Sequence, residues 1–469
     1  MSLETETATP ATADGLLVNS SDYRDRLDRA LQYDQAGKVT KSLGMIYEAY
    51  LPSAGVGSLV EIVAAGQARF EAEVIGFRDK KVMLMPFESA TGVSNDSLVV
   101  LKKRNSTVPV GWPLLGRVID GRGEPIDGKG PLLLKGQEMV ERALYSAPTH
   151  PMEREMVEKP LDLGIRAING LLTCGKGQRV GIMAGSGVGK SVLLGMMARH
   201  TAADINVIAL IGERGRELRE FIERDLGPEG LKRSVVVCAT SDKSPLLRMR
   251  AAWLATAIAE FFRDEGRDVL MLMDSVTRFC MAQREIGLSM GEPPAQKGYT
   301  PSVFSTLPRL LERAGMAPSQ GSITGLYSVL VEGDDMDDPI ADAARSILDG
   351  HIVLSRKIAQ KNQFPAIDIL QSTSRVMRAV SSPETMVQAG QIREWMASYA
   401  QAEDLINIGA YVKGSNPKID QAVFVYDRIN MFLRQEVNER STSADTTAAM
   451  TAICRSAESF LQSQAAQKK

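Results

Sequence analysis

The stretch Ala184-Gly185-Ser186-Gly187-Val188-Gly189-Lys190-Ser191 constrains this chain more than any other. It follows an apolar run, Val180-Gly181-Ile182-Met183, and opens a segment, 192–199, with apolar residues on most faces. That order predicts a strand, a tight loop and a buried helix. Glycines let such a loop curl so that successive N–H groups point inward. The positive end of the helix dipole, beginning near Gly189, adds to them, so the natural guest is a polyphosphate. Lys190 can then reach the β and γ phosphates, and the Ser191 hydroxyl can ligate Mg²⁺. The common form of this loop begins with Gly where this chain has Ala184, and a small side chain still leaves room for the turn. The residues expected to touch nucleotide are those of the loop itself together with Val192.

A chain of 469 residues exceeds what one hydrophobic core organises, so two or three domains are expected. Charged residues make up 24% and the net charge is -2, so the basic excess that nucleic-acid binding by bulk charge needs is missing, and no nucleic-acid partner is expected. Cys174, Cys238, Cys280 and Cys454 have no CxxC spacing, which argues against a disulfide framework or a zinc site and fits a reducing compartment. His150, His200 and His351 lack metal-ligand spacing and are expected to be structural or exposed. Residues 1–15 are Thr/Ala/Glu-rich, unlike a signal peptide, and no apolar run approaches the roughly 20 residues of a membrane helix. The expected location is the cytoplasm unless a partner docks the chain to a membrane.

Residues 1–36 divide into a tail low in large apolar side chains and an amphipathic helix in which Tyr23, Leu27 and Leu31 recur every fourth residue. That stripe reads either as docking onto the chain's own barrel or as a handle for a partner protein. Residues 37–105 carry short β-branched or alternating runs between glycine-bearing turns, among them Leu59-Val60-Glu61-Ile62-Val63 and Lys81-Val82-Met83-Leu84-Met85. They predict a small closed β-barrel. A Gly/Pro-rich connecting region, 106–150, follows. From 151 to 381, continuously apolar runs such as Val207-Ile208-Ala209-Leu210-Ile211 and Val269-Leu270-Met271-Leu272-Met273 alternate with helix-like segments. This predicts an α/β core whose mostly parallel sheet is covered on both faces. Residues 382–469 read as a helical C-terminal domain, the last helix placing Ala449, Met450, Ile453, Ala457, Phe460 and Leu461 on one face.

A nucleotide hydrolase also needs a carboxylate on the metal side and a group to orient the attacking water. Asp274 ends the apolar strand Leu272-Met273, where ligands of open α/β sheets gather, and is the expected Mg²⁺-side carboxylate. Glu213 stands just past the run 207–211, where it reads either as the acceptor for that water or as a solvated turn residue.

Taken together, the loop, Gly212-Glu213-Arg214-Gly215-Arg216-Glu217, Leu272-Met273-Asp274-Ser275-Val276-Thr277-Arg278-Phe279, Gly298-Tyr299-Thr300-Pro301-Ser302-Val303-Phe304, Asp334-Asp335-Met336-Asp337-Asp338-Pro339-Ile340 and Ile347-Leu348-Asp349-Gly350-His351 resemble the ATPases of type III protein export, relatives of the catalytic subunits of rotary ATP synthases. The resemblance covers residue 37 to the C-terminus, and the Gly185 to Lys190 loop is similar to that of the flagellar branch. It implies a RecA-like P-loop core and an ATP hydrolase working with Mg²⁺ as a ring, a homohexamer. It implies that Glu213 is the catalytic glutamate, that Arg214 senses the nucleotide, and that Arg375 in Ser372-Thr373-Ser374-Arg375 is an arginine finger given to the neighbouring subunit. Segment 298–311 would face a central pore. The implied partners are a regulator at the Tyr23, Leu27 and Leu31 stripe, a central stalk protein, export chaperone–substrate complexes and a membrane export gate. The implied location is the cytoplasm, peripheral to the inner membrane at the export apparatus.

Rival readings on the same core are an injectisome export ATPase, a rotary ATP synthase catalytic subunit, an RNA-tracking ring helicase and a scaffold that binds ATP without hydrolysing it. The C-terminal region lacks an acidic DELSEED-type segment, which disfavours the synthase, and the barrel's few aromatics disfavour the helicase.

Overall fold

The computed structural model describes residues 35–64, 68–132, 138–318, 321–331, 333, 335 and 337–467. The amphipathic stripe of Tyr23, Leu27 and Leu31 lies outside these residues. The chain divides into two compact units, a small one built from the barrel strands and a large one that includes Asn105–Lys469.

In the small unit, β1 (Ala36–Leu43), β2 (Ile46–Tyr50), β3 (Leu59–Val63), β4 (Arg69–Arg78), β5 (Lys81–Pro86) and β6 (Leu98–Lys103) close into a barrel in the order β1-β2-β5-β4-β3-β6. The seam is an antiparallel β1–β6 pairing with Ala36 opposite Val100, so no strand edge is left open. Alternation decides the inside: Val60 and Ile62 are buried while Leu59, Glu61 and Val63 between them are half-exposed. Val39, Ala72, Val74, Val82, Leu84 and Val99 join them in the barrel core.

In the large unit, β7 (Val118–Asp120), β8 (Arg179–Ala184), β9 (Ile205–Ile211), β10 (Ser234–Ala239), β11 (Asp268–Asp274), β12 (Ser322–Leu330), β13 (Gly350–Leu354) and β14 (Ile367–Ser374) form a sheet in the order β14-β13-β8-β12-β11-β9-β10-β7. Every neighbouring pair is parallel except β13–β14, which is antiparallel. All residues of β9 and β10 are buried, which accounts for the apolar runs Val207–Ile211 and Val235–Ala239, and the two polar residues, Asn206 and Ser234, meet in a hydrogen bond of 3.1 Å. The 106–150 segment is more than a connection, since its β7 pairs with β10, Val236 opposite Val118.

Four of the longer helices begin the same way, with a side-chain cap followed by proline. Ser244, Asp338, Ser382 and Asn416 cap α2 (Pro245–Asp264), α5 (Pro339–Ile347), α6 (Pro383–Asn407) and α7 (Pro417–Leu433), each accepting from a backbone N–H two or three residues on. Helices α1 (Lys190–His200), α3 (Val276–Met290) and α4 (Pro301–Leu311) complete the core, and α8 (Ser443–Gln467) ends the described chain. The C-terminal helices do not have a separate core. Ile392, Trp395, Val425, Ile429, Phe432, Met450, Ile453 and Ala457 belong to one buried cluster with Ile168, Leu171, Ile367 and Ile369. Leu461, expected on the buried face of α8, is 42% exposed, while Phe460 stacks on Phe424 at 4.3 Å. Among the described residues no helix is long and apolar enough to cross a membrane.

Candidate nucleotide site

The loop between β8 and α1 has the shape its glycines allow. Gly187 and Gly189 sit at φ +79° and +86°, values L side chains rarely adopt, and Gly189 in the left-handed region is the residue from which α1 starts. The loop's Ser186 and Ser191 are exposed. The first N–H groups of a helix have no partner within it, so those of α1 suit an anion.

Parallel register brings the rest of the site to the same edge. Ala184 lies opposite Leu330 and Leu354, and Leu210 lies opposite Asp274, so the loop after β8, Asp274 at the end of β11 and Glu213 past β9 all stand at the C-terminal edge of one parallel sheet, with β12 between β8 and β11. Lys190 Nζ donates to Asp274 Oδ1, and Ser328 Oγ donates to the same oxygen at 2.6 Å. Both partners of the ion pair are largely shielded, at 11% and 5% side-chain exposure, so the lysine and carboxylate hold each other in a region of reduced screening. Ser275 caps α3 by accepting from Arg278 N at 3.3 Å, and Thr277 Oγ1 accepts from Leu330 N at 2.9 Å, which fixes α3 against β12.

Glu213 hangs from a turn whose backbone is tied at both ends. Gly212 N donates to Ala239 O at 2.7 Å and Ser241 N donates to Glu213 O at 3.1 Å. A methyl group on Gly212 would come within 2.9 Å of Arg278 Cβ, so the turn needs glycine there. Burial, and after it the charge of Asp274, pushes the Glu213 carboxyl up to about 7, with Lys190 and Arg278 pulling the other way. Its Oε1 is buried without a hydrogen-bond partner among the described residues, an acceptor in want of a donor.

The Ser191 hydroxyl and the Asp274 carboxylate are hard oxygen donors, suited to a small divalent cation that takes its remaining ligands from phosphate and water. Among the described residues there is no cluster of three or more His, Cys, Asp and Glu that could hold a metal ion.

Two expected site residues stand away from this cluster. Arg214 is exposed, its guanidinium 3.6 Å from Glu217 on the surface. Arg375 follows β14, which runs antiparallel to β13, so Ser374 lies opposite Gly350 and the Arg375 N–H donates to Asp349 O at 3.0 Å. Asp349 is itself bound to Arg179, at the start of β8, whereas the loop follows Ala184 at its end. Five strand steps, about 17 Å, separate the two levels. An arginine so placed cannot touch its own loop.

The structure also assembles a pocket that the sequence did not disclose. A cleft of about 420 Å³ beside α1 is walled by Val188, Val192, Met196, Phe364, Arg434 and Gln435, drawn from three distant parts of the chain. The Phe364 ring lies 3.7 Å from where a Gly189 Cβ would sit, and Gln435 N donates to Phe364 O at 3.0 Å. An exposed aromatic face against an apolar wall suits a flat heterocycle. Phe364-Pro365 just before β14 was the signal available in the sequence.

Comparison with known proteins places this geometry. Residues 164–374 match the nucleotide-binding domain of the ATP synthase alpha/beta family, and residues 381–452 match the EscN ATPase C-terminal domain of type III secretion. The chain is 51% identical over 431 residues to the flagellum-specific ATP synthase of Bacillus subtilis, covering 92% of this chain and 97% of that one. It is 50% identical to the type 3 secretion system ATPase of Sinorhizobium fredii, covering 89% and 92%. The assembled EscN ATPase of the enteropathogenic E. coli type III secretion system superposes with a TM-score of 0.84 at 46% identity, over 89% of this chain and 99% of that chain. EscN in complex with its central stalk EscO gives 0.82 at 45% identity, again over 89% and 99%.

Proposed function

This chain belongs to the family of flagellar and type III secretion ATPases, and from that premise we propose how its residues hydrolyse ATP and what they serve. The chain is an ATP hydrolase of flagellar type III protein export. The observation that carries the mechanism is the convergence of Lys190, Asp274 and an unsatisfied Glu213 at the strand ends that flank a glycine loop.

The loop's N–H groups and Lys190 bind the β and γ phosphates, which requires Lys190 to leave Asp274. Ser191 and Asp274 would hold the Mg²⁺ that accompanies the nucleotide, and that ion would supply charge neutralisation on the phosphates. Glu213 accepts a hydrogen bond from the water in line with the γ-phosphorus and orients it. The Phe364 cleft takes the adenine. Arg375, too far from its own loop, supplies its guanidinium to the γ-phosphate of the neighbouring copy in a ring, a homohexamer. Arg214, exposed in this chain, acts as a nucleotide sensor at that same boundary. Segment 298–311 faces the ring's pore. A central stalk protein, chaperone-bound export substrates, a regulator at the N-terminal stripe and a membrane export gate are the partners, and the ring works in the cytoplasm against the inner membrane.

The test is phosphate release from Mg-ATP by the purified chain and its Glu213→Gln variant, with nucleotide affinity measured on both. Loss of turnover with affinity kept supports the role of Glu213; an unchanged rate refutes it.

A further inference from the structure

At the end of the sheet opposite the nucleotide loop, a set of polar contacts links the base of Arg375 to helix α4. The Arg179 guanidinium grips the Asp349 carboxylate through Nε at 3.0 Å and Nη2 at 3.1 Å, and the Arg179 N–H donates to it at 3.1 Å. Its remaining nitrogen, Nη1, lies 2.5 Å from Oε2 of Glu312, the residue directly after α4. One guanidinium therefore spans two carboxylates on separate elements, using the planar fork that a lysine lacks. Arg154 also pairs with Glu312, at 3.2 Å.

The Asp349 side of this bridge holds the backbone of Arg375. Asp349 O accepts from Arg375 N at 3.0 Å and from Gln178 Nε2 at 3.1 Å. Gln178, wholly buried, also donates to Ser374 Oγ at 3.2 Å, and Ser374 Oγ donates to Thr173 O at 2.8 Å. The peptide that carries Arg375 is thus anchored on three sides, while the Arg375 side chain is exposed and, among the described residues, makes a single bond, Nη2 to Arg345 O at 3.2 Å. A fixed base and a free tip are what an arginine offered outward requires.

We propose that Arg179 is a positioning residue for Arg375: by holding Asp349 and Glu312 together it sets the placement of Arg375 according to the position of α4. This rests on the reading that Arg375 acts on the neighbouring copy's nucleotide. A displacement of α4, the helix within the segment assigned to the ring's pore, then shifts the arginine that completes the next site.

The test uses the full chain at concentrations where rings form, measuring phosphate release, Mg-ATP affinity and ring population for Arg179→Lys, Glu312→Gln, Arg375→Ala and the two double variants with Arg375→Ala. The expected result is a loss of turnover of about tenfold in Arg179→Lys and a smaller one in Glu312→Gln, with affinity and ring population kept. In the Arg375→Ala background neither substitution should cost anything further. Equal losses in both backgrounds would mean a merely structural bridge and would overturn the proposal, as would full activity in both single variants while Arg375→Ala is inactive. Full activity of Arg375→Ala would instead remove the reading beneath it. Should Arg179→Lys fail to fold, Glu312→Gln, on a partly exposed side chain, carries the same comparison.

Discussion

Replacing Arg375 by alanine should separate catalysis from folding more cleanly than any other substitution in this chain. Its guanidinium is exposed and, among the described residues, makes one hydrogen bond to a backbone carbonyl, so truncation leaves no buried charge and stability should change by no more than about 0.5 kcal/mol. Because about 17 Å of strand lies between its level and the loop, the variant's own site is untouched, and Mg-ATP affinity should stay near normal. The catalytic loss should be of another order. Arginines given in trans to a transferring phosphoryl group contribute roughly 10³ to 10⁵ in turnover, equal to about 4 to 7 kcal/mol of barrier. The assay is phosphate release per protomer across a range of protein concentrations. The wild-type rate should climb as rings form, and Arg375→Ala should stay flat at the monomer's level with its melting temperature unmoved. A concentration-independent wild-type rate, or a variant that climbs in parallel, would refute the reasoning.

Phe364→Ala should raise the KM for ATP while leaving kcat nearly unchanged, since stacking of a base on an aromatic ring contributes about 1–3 kcal/mol of binding and none of it falls on the γ-phosphate; steady-state kinetics check this. Glu213, lifted from 4.5 to about 7, must be ionised to accept from water, so kcat/KM should fall as pH drops through about 7, and Glu213→Gln should abolish that limb. The same shift has a sign for stability. Between 4.5 and about 7 the folded chain keeps a proton that the unfolded chain has released, so this group's contribution weakens as pH rises across that window, and the variant should flatten that part of the denaturation profile. Glu260→Ala should destabilise by about 3–5 kcal/mol in chemical denaturation, because it strands Arg313, 1% exposed and hydrogen-bonded to Glu260 at 2.7 and 2.5 Å, without its counter-charge.

The architecture was legible where sequence pattern and environment coincide. The glycine loop between an apolar strand and a helix, the unbroken apolar runs of β9 and β11, and the 3.6-residue stripe at Met450, Ile453 and Ala457 each express a local requirement that the fold satisfies locally. Strand β7 was hidden because three residues in a Gly/Pro-rich stretch become a strand only by pairing with β10, a tertiary decision. The same holds for the site. Asp274 and Glu213 could be found from their places after strands, but Ser328, which holds the Asp274 carboxylate, and Phe364 with Gln435, which build the base cleft, meet across long separations. Arg375 was recognised by resemblance to a family. Its inability to reach its own loop came from the antiparallel turn of β14, which no composition or spacing reveals.

The shared active site is tested most directly by mixing two inactive variants, Arg375→Ala and Glu213→Gln, at concentrations where rings form, and measuring phosphate release. The first variant keeps Glu213 and the second keeps Arg375, so with random equal mixing roughly a quarter of interfaces bring an intact pair together across a heterologous contact. Activity in the mixture, where each variant alone has almost none, is the result expected of a site completed by the next copy. A mixture that forms mixed rings yet stays as inactive as its parts would contradict it.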